Sequence, residues 1–375
     1  MCSERMATLI FTISAAFVLY ILLGYPLLLD FLARHGARPV KKRAIEPSVT
    51  VVLPVHNGAR WIASKLESIL ALDYPRHLLD ILVVSDGSDD DTAEIVRRYR
   101  DVRLLELPRG GKARAINAAL EVATGEVLLF TDVRQLLDPP CLRRLMANLG
   151  DPEVGVVTGE IRWLATGSAE EADINAYLHF EHWIRDRLSQ IDSLLGVAGA
   201  LYAIRRELAR PLPPDTQLDD VCMVLTPFFS GRRIVLEKSA VAFDVPNPLQ
   251  GEFRRKVRTI AGLYQTLYAY PALLGPSNRM WLHFVSHKLG RVWLPFFLAA
   301  AAISSAWLPA PWNRLALAGQ AGIYLLAAVD FVAPQSFPLK RLTSAARTFF
   351  VMMAAAVCGL FLSFVPPRTL WKPSA

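Results

Sequence analysis

A segment of 23 residues without a charged side chain, residues 7–29, constrains the fold of this chain more than any other feature. A helix of about 20 apolar residues is long enough to cross a hydrocarbon core of roughly 30 Å. A secretory signal peptide has a shorter apolar region, about 7–15 residues, which a small-residue cleavage site follows. This segment is longer and such a site does not follow it, so we predict a retained transmembrane helix.

Three further apolar segments, 292–310, 314–333 and 348–365, predict transmembrane helices near the C-terminus. Their length and lack of charge disfavour the alternative, buried helices of a soluble core. Basic residues follow the first segment and also lie between the third and fourth: Arg34, Arg38, Lys41, Lys42, Arg43, Lys340, Arg341 and Arg347. Because positive charge stays inside, we predict a multi-pass protein of the inner (plasma) membrane. Both termini would be outside and the long middle section in the cytoplasm.

Composition excludes several classes of protein. Hydrophobic residues make up 53% of the chain, which excludes an intrinsically disordered protein. The net charge of +7 leaves nucleic acid, an anionic membrane surface and anionic small molecules as partners. Nucleic acid is disfavoured because the basic residues lack the interleaved aromatic residues of a stacking platform. The four cysteines form no CxxC pair, which argues against a disulfide framework and a thiolate metal cluster.

Residues 48–245 have the pattern of an α/β domain. Short β-branched runs at 49–55, 80–85, 102–107 and 126–131 alternate with amphipathic helical stretches. This alternation predicts a mostly parallel sheet with helices on both faces. Ligands of such sheets bind at the carboxyl ends of the strands, so the residues that follow each strand carry the functional information.

Polar residues do follow each of these strands. They are His56-Asn57-Gly58, Asp86 to Thr92, Arg109-Gly110-Gly111-Lys112 and Asp132 to Gln135. The first strand is not followed by GxGxxG, and RGGKA lacks the GxxxxGK[ST] pattern. The sequence therefore supports neither a dinucleotide-dependent dehydrogenase nor a P-loop NTPase.

Six motifs in order, PVHNGARWI, VVSDGSDDDT, GKARAINAAL, FTDVRQ, LDDV and RRKVRTIAGLYQ, resemble glycosyltransferase family 2 over about residues 48–265. The flanking apolar segments make the chain similar to its membrane-embedded, polysaccharide-synthase-like branch. The resemblance implies a GT-A-type fold and inverting transfer of a sugar from a nucleotide-sugar donor to a lipid-linked or glycan acceptor. It also implies a divalent cation, Mg²⁺ or Mn²⁺, and polysaccharide-export proteins as further partners.

The same resemblance assigns residues to the nucleoside side of a donor site. Asp86 matches the aspartate of the family's D-D-G-S motif that contacts the base, while Ser85 replaces the first aspartate of that motif. Pro54, His56 and Asn57 match the loop on the nucleoside side.

Lys112 and Asp132 are the predicted diphosphate and metal residues. Lys112 follows two glycines that open a helix, and the backbone N–H groups and helix dipole there suit a diphosphate. Asp132 begins the family's D-x-D metal motif, and Mg²⁺ binds carboxylates together with substrate phosphates. Arg134 replaces the second aspartate. Either Asp132 is the only carboxylate of the motif, or Arg134 helps to neutralise the diphosphate.

TQLDDVCMVL resembles the family's E-D motif, in which the second carboxylate is the general base. We therefore predict Asp220 as the base that takes the proton of the acceptor hydroxyl. Asp219 is its neighbour and raises the pKa of Asp220 by like-charge proximity. The alternative is that the two aspartates cap the helix that follows.

Residues 250–290 predict amphipathic interfacial helices before the last three spans, which together occupy 292–365. Arg258 matches the arginine of the family's Q-x-x-R-W motif, a diphosphate ligand. Arg255 replaces the glutamine as a second basic donor residue, and Thr259 replaces the tryptophan, which disfavours processive elongation. A basic helix lying on anionic lipid is compatible with the same residues. The sequence departs from the family's D-x-D and Q-x-x-R-W motifs. These departures leave an alternative function, a catalytically weak binding or assembly subunit of a polysaccharide-export complex.

Overall fold

The computed structural model describes residues 2–164, 169–245, 249–334 and 337–363. Within these ranges the central sheet has eight strands in the order β3-β2-β1-β4-β7-β6-β8-β5. The strands are β1 Val49–Val55, β2 Leu79–Asp86, β3 Val102–Leu107, β4 Val127–Phe130, β5 Leu136–Leu137, β6 Val154–Trp163, β7 Tyr202–Arg205 and β8 Arg233–Asp244.

The helices cover the sheet and continue into an apolar bundle. They are α1 Cys2–Leu19, α2 Tyr25–His35, α3 Ala59–Leu70, α4 Thr92–Arg97, α5 Lys112–Val122, α6 Cys141–Leu149, α7 Ala169–Ile191, α8 Asp219–Phe229, α9 Leu249–Ala269, α10 Trp281–His283, α11 Gly290–Ser305, α12 Trp312–Val329 and α13 Lys340–Leu362. Single π-helical stretches, Tyr20–Gly24 and Phe284–Leu289, join α1 to α2 and α10 to α11 without a break.

The four predicted strands are confirmed as β1 to β4, and all of them pair in parallel. The other half of the sheet mixes directions, because β7 runs antiparallel to both β4 and β6. The predicted α/β fold with helices on both faces is therefore correct, and the parallel arrangement holds best where strands and helices alternate along the chain.

Alternate side chains of the central strands enter two separate cores. Val51 and Leu53 of β1 pack with α3 on one face of the sheet, whereas Val52 packs with α5 on the other. Because successive side chains of a strand point to opposite faces, a run of apolar residues such as 49–53 is buried on both sides. The helices on both faces thus leave the carboxyl ends of β1, β2 and β4 as the open edge.

Two helices of the described ranges have the length and apolarity needed to cross a membrane. They are Glu4–His35, with a mean hydropathy of 2.3, and Lys340–Leu362, with a mean hydropathy of 1.9. Only 17% and 28% of their most apolar windows are buried by other parts of the chain, so these helices are not core helices. They contain the predicted span 7–29 and most of 348–365. The spans 292–310 and 314–333 fall largely on α11 and α12, and their crossing of a membrane stays a prediction, as do the four domain boundaries.

The N-terminal helix is docked to the α/β domain by ion pairs. Asp30 of α2 lies 2.9 Å from Nε of Arg187 on α7. Just beyond the helix, Arg38 lies 2.5 Å from Asp192, which follows α7. The predicted membrane helix is therefore held against the helix that borders the site described below.

The last helix packs on α9 at a glycine. A Cβ placed on Gly359 of α13 would lie 2.7 Å from Cβ of Ile260 and 3.2 Å from the backbone oxygen of Val257. Contacts under 3 Å force a shift, so only glycine allows the two helices this separation. Gly319 of α12 has open space around the same position.

We expect Gly359→Ala to destabilise the protein, because the new methyl group pushes α13 away from α9 at a cost of about 1–3 kcal/mol. Gly319→Ala is the matched control, and it gains helix propensity of up to about 1 kcal/mol without a clash. The thermal midpoint of the detergent-solubilised protein distinguishes the two. Equal midpoints would contradict the close packing of these helices.

Candidate functional site

The loops that follow β1 and β2 are bound to each other. The parallel pairing places Val55 opposite Ser85, so that His56 lies beside Asp86. His56 Nδ1 donates to the backbone oxygen of Asp86 over 3.0 Å. The side-chain oxygen of Asn57 accepts from the backbone N–H of Asp89, also over 3.0 Å. The predicted nucleoside-side residues thus form one rigid edge, and Pro54 lies in β1 directly before it.

The carboxylate of Asp86 is bound by the turn before α5. Its carboxylate accepts hydrogen bonds from the backbone N–H groups of Gly110 (2.7 Å) and Gly111 (2.9 Å). Arg109 Nη1 lies 2.6 Å from the same carboxylate, whose side chain is only 4% exposed. Asp86 therefore orders the turn before α5, and its contact with a base stays a prediction.

This arrangement also corrects the prediction that the N–H groups of Gly110 and Gly111 bind a diphosphate. Unpaired N–H groups at a helix N-terminus attract an anion, and here the anion is the carboxylate of Asp86. Gly111 has φ of +91°, a conformation that lets both N–H groups reach this carboxylate.

Lys112 joins two carboxylates from distant parts of the chain. Its Nζ lies 2.9 Å from Oδ1 of Asp132 at the end of β4 and 2.9 Å from Oδ2 of Asp219 at the start of α8. Burial opposes the charge of Lys112, but the two carboxylates raise the pKa of its ammonium above the usual value. The pKa of Asp132 is lowered: burial opposes this, and Lys112, Lys65 and Arg258 outweigh it. Lys112 and Asp132 therefore stay ionised together.

Asp220 lies beside this bridge in an environment suited to a base. Burial raises the pKa of Asp220 to about 6, and the neighbouring charge of Asp219 contributes to the rise. The helix α8 starts at Asp219, and its N-cap residue, Leu218, makes no side-chain hydrogen bond. Because Asp219 binds Lys112 instead, capping is not the main role of this pair of aspartates.

A glycine leaves space between the two halves of the site. A Cβ on Gly199 would lie 3.7 Å from Oδ2 of Asp220 and 3.8 Å from Oδ2 of Asp132. The carboxylates of Asp132 and Asp220 thus face the same small volume. Any larger residue at this position would fill it.

The oxygens around Gly199 fit a hard divalent cation that is completed by substrate phosphates. Oδ1 of Asp132 accepts from Lys112, while Oδ2 faces the space at Gly199. Among the described residues, no three His, Cys, Asp or Glu side chains group closely enough to hold a metal by themselves. Mg²⁺ characteristically binds through one or two carboxylates plus substrate phosphates, and Asp132 meets that requirement.

The side chain of Arg134 is bound by an aspartate of strand β8. Its Nη2 lies 2.7 Å from Oδ2 of Asp244 at the end of β8, and Gln135 Nε2 donates to the same oxygen. Of the two alternatives for this departure from the metal motif, the structure favours the one in which Asp132 is its only carboxylate.

The basic helix α9 brings one arginine towards the carboxylates. Arg258 lies close enough to Asp132 to help lower the pKa of that carboxyl. Arg255 is exposed one turn earlier, on the same side of α9. Both arginine side chains are exposed, and the charge of Arg258 acts on the predicted metal residue.

Lys65 is a buried charged residue beside the site that the sequence patterns did not identify. It is fully buried in α3, where its ammonium donates to Oγ1 of Thr131 over 2.6 Å and to the backbone oxygen of Gln135. Thr131 in turn donates to the backbone oxygen of Ala200 over 2.8 Å. Burial lowers the pKa of Lys65 to about 7, while Asp132 opposes this. This chain of hydrogen bonds fixes the backbone on both sides of the space at Gly199.

The sequence feature that could have identified Lys65 as a buried residue is its position in the helical repeat of α3. Ile62, Leu66 and Ile69 form the buried stripe of α3, and Lys65 lies within that stripe. A lysine at such a position is almost never fully buried without a partner.

Three comparisons agree on the kind of protein. The family model described as Glycosyl transferase family 2 matches residues 50–210. An N-acetylglucosaminyltransferase of Rhizobium meliloti (strain 1021) is 28% identical over 69% of this chain and 66% of its own length. A poly-beta-1,6-N-acetyl-D-glucosamine synthase of Staphylococcus aureus (strain COL) is 24% identical over 58% of this chain and 55% of its own. The chain thus spans two thirds or less of the length of these curated relatives.

A solved structure matches nearly the whole chain. It is a mannosyltransferase from Pyrobaculum calidifontis in complex with GDP-Man and Mn²⁺, with a TM-score of 0.74 and 26% identity. The match covers 95% of this chain and 99% of that one. The fold therefore extends beyond the α/β domain into the helices that follow it.

We expect Lys65→Met to lower the free energy of unfolding by about 1–3 kcal/mol, because it leaves the buried oxygen of Gln135 without its donor. Lys41→Met, at an exposed lysine, is the control and stays within about 0.5 kcal/mol of the wild type. Chemical denaturation in detergent gives both values. A Lys65→Met protein as stable as the control would show that these hydrogen bonds do not stabilise the fold.

Proposed function

We propose that the protein is a membrane-bound, inverting glycosyltransferase, because residues 50–210 match the model of Glycosyl transferase family 2. It moves a sugar from a nucleotide-sugar donor to a lipid-linked or glycan acceptor in polysaccharide biosynthesis. The observation that carries this proposal is the partly buried carboxylate of Asp220, which has a pKa near 6 and lies beside the bridge of Lys112, Asp132 and Asp219.

In this mechanism Asp220 is the general base. The acceptor hydroxyl oxygen forms a bond to the anomeric carbon while the bond from that carbon to the diphosphate oxygen breaks. The proton of the hydroxyl goes to Asp220, and the nucleoside diphosphate leaves from the opposite side of the sugar. A base works best when its pKa lies near the working pH, which the value of about 6 approaches.

Positive charge on the donor side stabilises the leaving diphosphate. Lys112 and Arg258 lie around Asp132 and supply fixed cationic groups. Asp132 would hold a divalent cation, which would supply further positive charge at the leaving diphosphate. The Mn²⁺ in the mannosyltransferase structure supports the inclusion of a cation in this proposal.

The membrane location is supported by the exposed apolar surface of the helices outside the sheet. Large apolar side chains of α1, α2, α11 and α12 are exposed, among them Leu27 (71%), Ile303 (65%) and Leu325 (63%). Exposed apolar patches of this size mark contact with a membrane or with another protein. The proposed arrangement has several spans in the inner membrane and the α/β domain in the cytoplasm.

Release of nucleoside diphosphate from a panel of UDP- and GDP-sugars, with mass spectrometry of the product, tests the function. Turnover that requires an acceptor supports it. Tight donor binding without turnover on any acceptor would favour the binding or assembly subunit instead.

We expect Asp220→Asn to lower kcat by about 10²–10⁴-fold, because an amide does not take the acceptor proton. Donor affinity, measured by binding of the nucleoside diphosphate, stays close to that of the wild type. The control is Asp101→Asn, at an exposed carboxylate paired only with Arg76 at 3.5 Å, which keeps full turnover. Full turnover of Asp220→Asn would overturn the assignment of the base.

We expect kcat/KM to fall about tenfold for each pH unit below about 6, because Asp220 must be ionised to act. Asp219→Asn removes the negative neighbour that raises the pKa of Asp220. The acid limb of the profile therefore moves to lower pH in this variant, whatever its maximal rate. A limb that stays in place or moves upward would show that another group titrates.

A further inference from the structure

The predicted metal residue Asp132 lies in a segment, residues 131–135, that is neither helix nor strand. We call it the metal-motif segment. The ammonium of Lys65 donates to Oγ1 of Thr131 at one end of the segment, over 2.6 Å, and to the backbone oxygen of Gln135 at the other end. One buried group on α3 therefore joins both ends of the segment that carries the metal residue.

A second side chain of α3 binds the chain just beyond the segment. Oγ of Ser68 accepts from the backbone N–H of Leu137 over 3.3 Å and donates to the backbone oxygen of Lys65 over 2.8 Å. Residues three apart on a helix lie on the same side of it, so Lys65 and Ser68 face the segment together. The helix thus holds residues 131, 135 and 137 through two polar side chains.

Residues outside α3 bind the segment as well. Arg134 Nη2 and Gln135 Nε2 each lie 2.7 Å from Oδ2 of Asp244 at the end of β8. Thr131 donates to the backbone oxygen of Ala200, which precedes β7, over 2.8 Å. The metal-motif segment is therefore bound both by α3 and by residues at the ends of neighbouring strands.

The departure from the metal motif makes the position of Asp132 important. Arg134 stands where the family's D-x-D motif has its second aspartate, so the motif supplies one carboxylate. A divalent cation would then be held by Asp132 and by phosphate oxygens of the donor. With so few protein ligands, affinity depends on how accurately that carboxylate is held, because a ligand fixed in advance loses less conformational freedom on binding.

We propose that Lys65 is the positioning residue of the cation site, and that its hydrogen bonds fix the metal-motif segment so that Oδ2 of Asp132 faces the space at Gly199. The proposal rests on the proposed function, because it concerns how the same site binds its donor with a cation. Lys65 is fully buried, so it acts through the backbone of the segment and not by contact with a substrate. Its loss should therefore weaken the cation and leave the proton transfer to Asp220 in place.

Charge is a second way for Lys65 to act on Asp132. Burial opposes the lowered pKa of Asp132, to which the charge of Lys65 contributes after that of Lys112. Thr131→Val separates charge from hydrogen bonding, because it removes the hydroxyl that accepts from Lys65 and keeps the lysine. If the hydrogen bonds position the segment, Thr131→Val and Lys65→Met have similar effects. If only the charge matters, Lys65→Met alone changes the cation site.

Calorimetry of UDP and GDP binding to the full chain in detergent, with Mn²⁺ and with EDTA, measures how much affinity the cation adds. We expect the wild type to bind one of these nucleotides more tightly with Mn²⁺, and Asp132→Asn to abolish this Mn²⁺ effect. Lys65→Met and Thr131→Val should each reduce it by about tenfold or more, the usual loss when a group that orients a metal ligand is removed. Affinity in EDTA should stay unchanged, and Thr131→Ser, which keeps the hydroxyl, should regain most of the Mn²⁺ effect.

Thr50→Val is the matched control, at a fully buried threonine of β1 on the opposite edge of the sheet. Its hydroxyl donates to Asp80 over 3.1 Å and accepts from the backbone N–H of Gly125 over 3.0 Å. This variant should lose thermal stability and keep the full Mn²⁺ effect. Binding is measured below the thermal midpoint of each variant, so that only folded protein is compared.

Turnover gives a second readout. The Mn²⁺ concentration for half-maximal turnover should rise about tenfold or more in Lys65→Met, with kcat at saturating Mn²⁺ close to that of the wild type. An unchanged Mn²⁺ effect in folded Lys65→Met, or a change in Lys65→Met without one in Thr131→Val, overturns the inference and leaves the proposed function intact. A wild type that turns over without any Mn²⁺ effect overturns it as well. Absence of turnover with the Mn²⁺ effect present would contradict the proposed function instead.

Discussion

The ammonium group of Lys112 holds the candidate site together. It binds Asp132 at the end of β4 and Asp219 at the start of α8, residues that are far apart in the chain. Without a cation between them, these carboxylates and Asp220 would repel one another and could not all be ionised. The closeness of Asp220 to Asp132 across Gly199 and the position of α8 depend on this bridge. The raised pKa of Asp220 has another cause, burial together with the charge of Asp219, and Lys112 opposes it.

The first half of the fold was predictable because its strands are buried on both faces. Such strands are continuous apolar runs in the sequence, and the residues that follow them must meet at one edge of the sheet. For this reason Lys112 and Asp132 were expected at one edge of the sheet, whereas Asp219 and Asp220 were assigned only from the resemblance of TQLDDVCMVL to the E-D motif. The antiparallel strand β7 was missed because its four residues lack both a long apolar run and an alternating helix.

The errors concern polar groups whose partners are decided by local geometry. The backbone N–H groups of the 110–111 turn were expected to bind a diphosphate, but they bind the carboxylate of Asp86. The conformation of Gly111 that allows this is invisible in the sequence. Arg134 pairs with Asp244 across the sheet, a contact between residues 110 positions apart that no motif encodes. Lys65 could have been identified from the sequence, because the helical repeat places this charged residue in the buried stripe of α3.

The segment that follows β8 matters for the design of truncated forms of the protein. A cut after residue 245 would keep the whole sheet and the carboxylates, and it would look like a complete enzyme by its fold. It would remove Arg258, whose charge helps to lower the pKa of Asp132, and Lys288, whose charge favours ionised Asp220, because these residues lie beyond the sheet. A domain boundary at residue 245 therefore separates the carboxylates of the site from some of the basic residues that act on them. A fragment chosen for its solubility would retain a base with much of its positive surroundings gone.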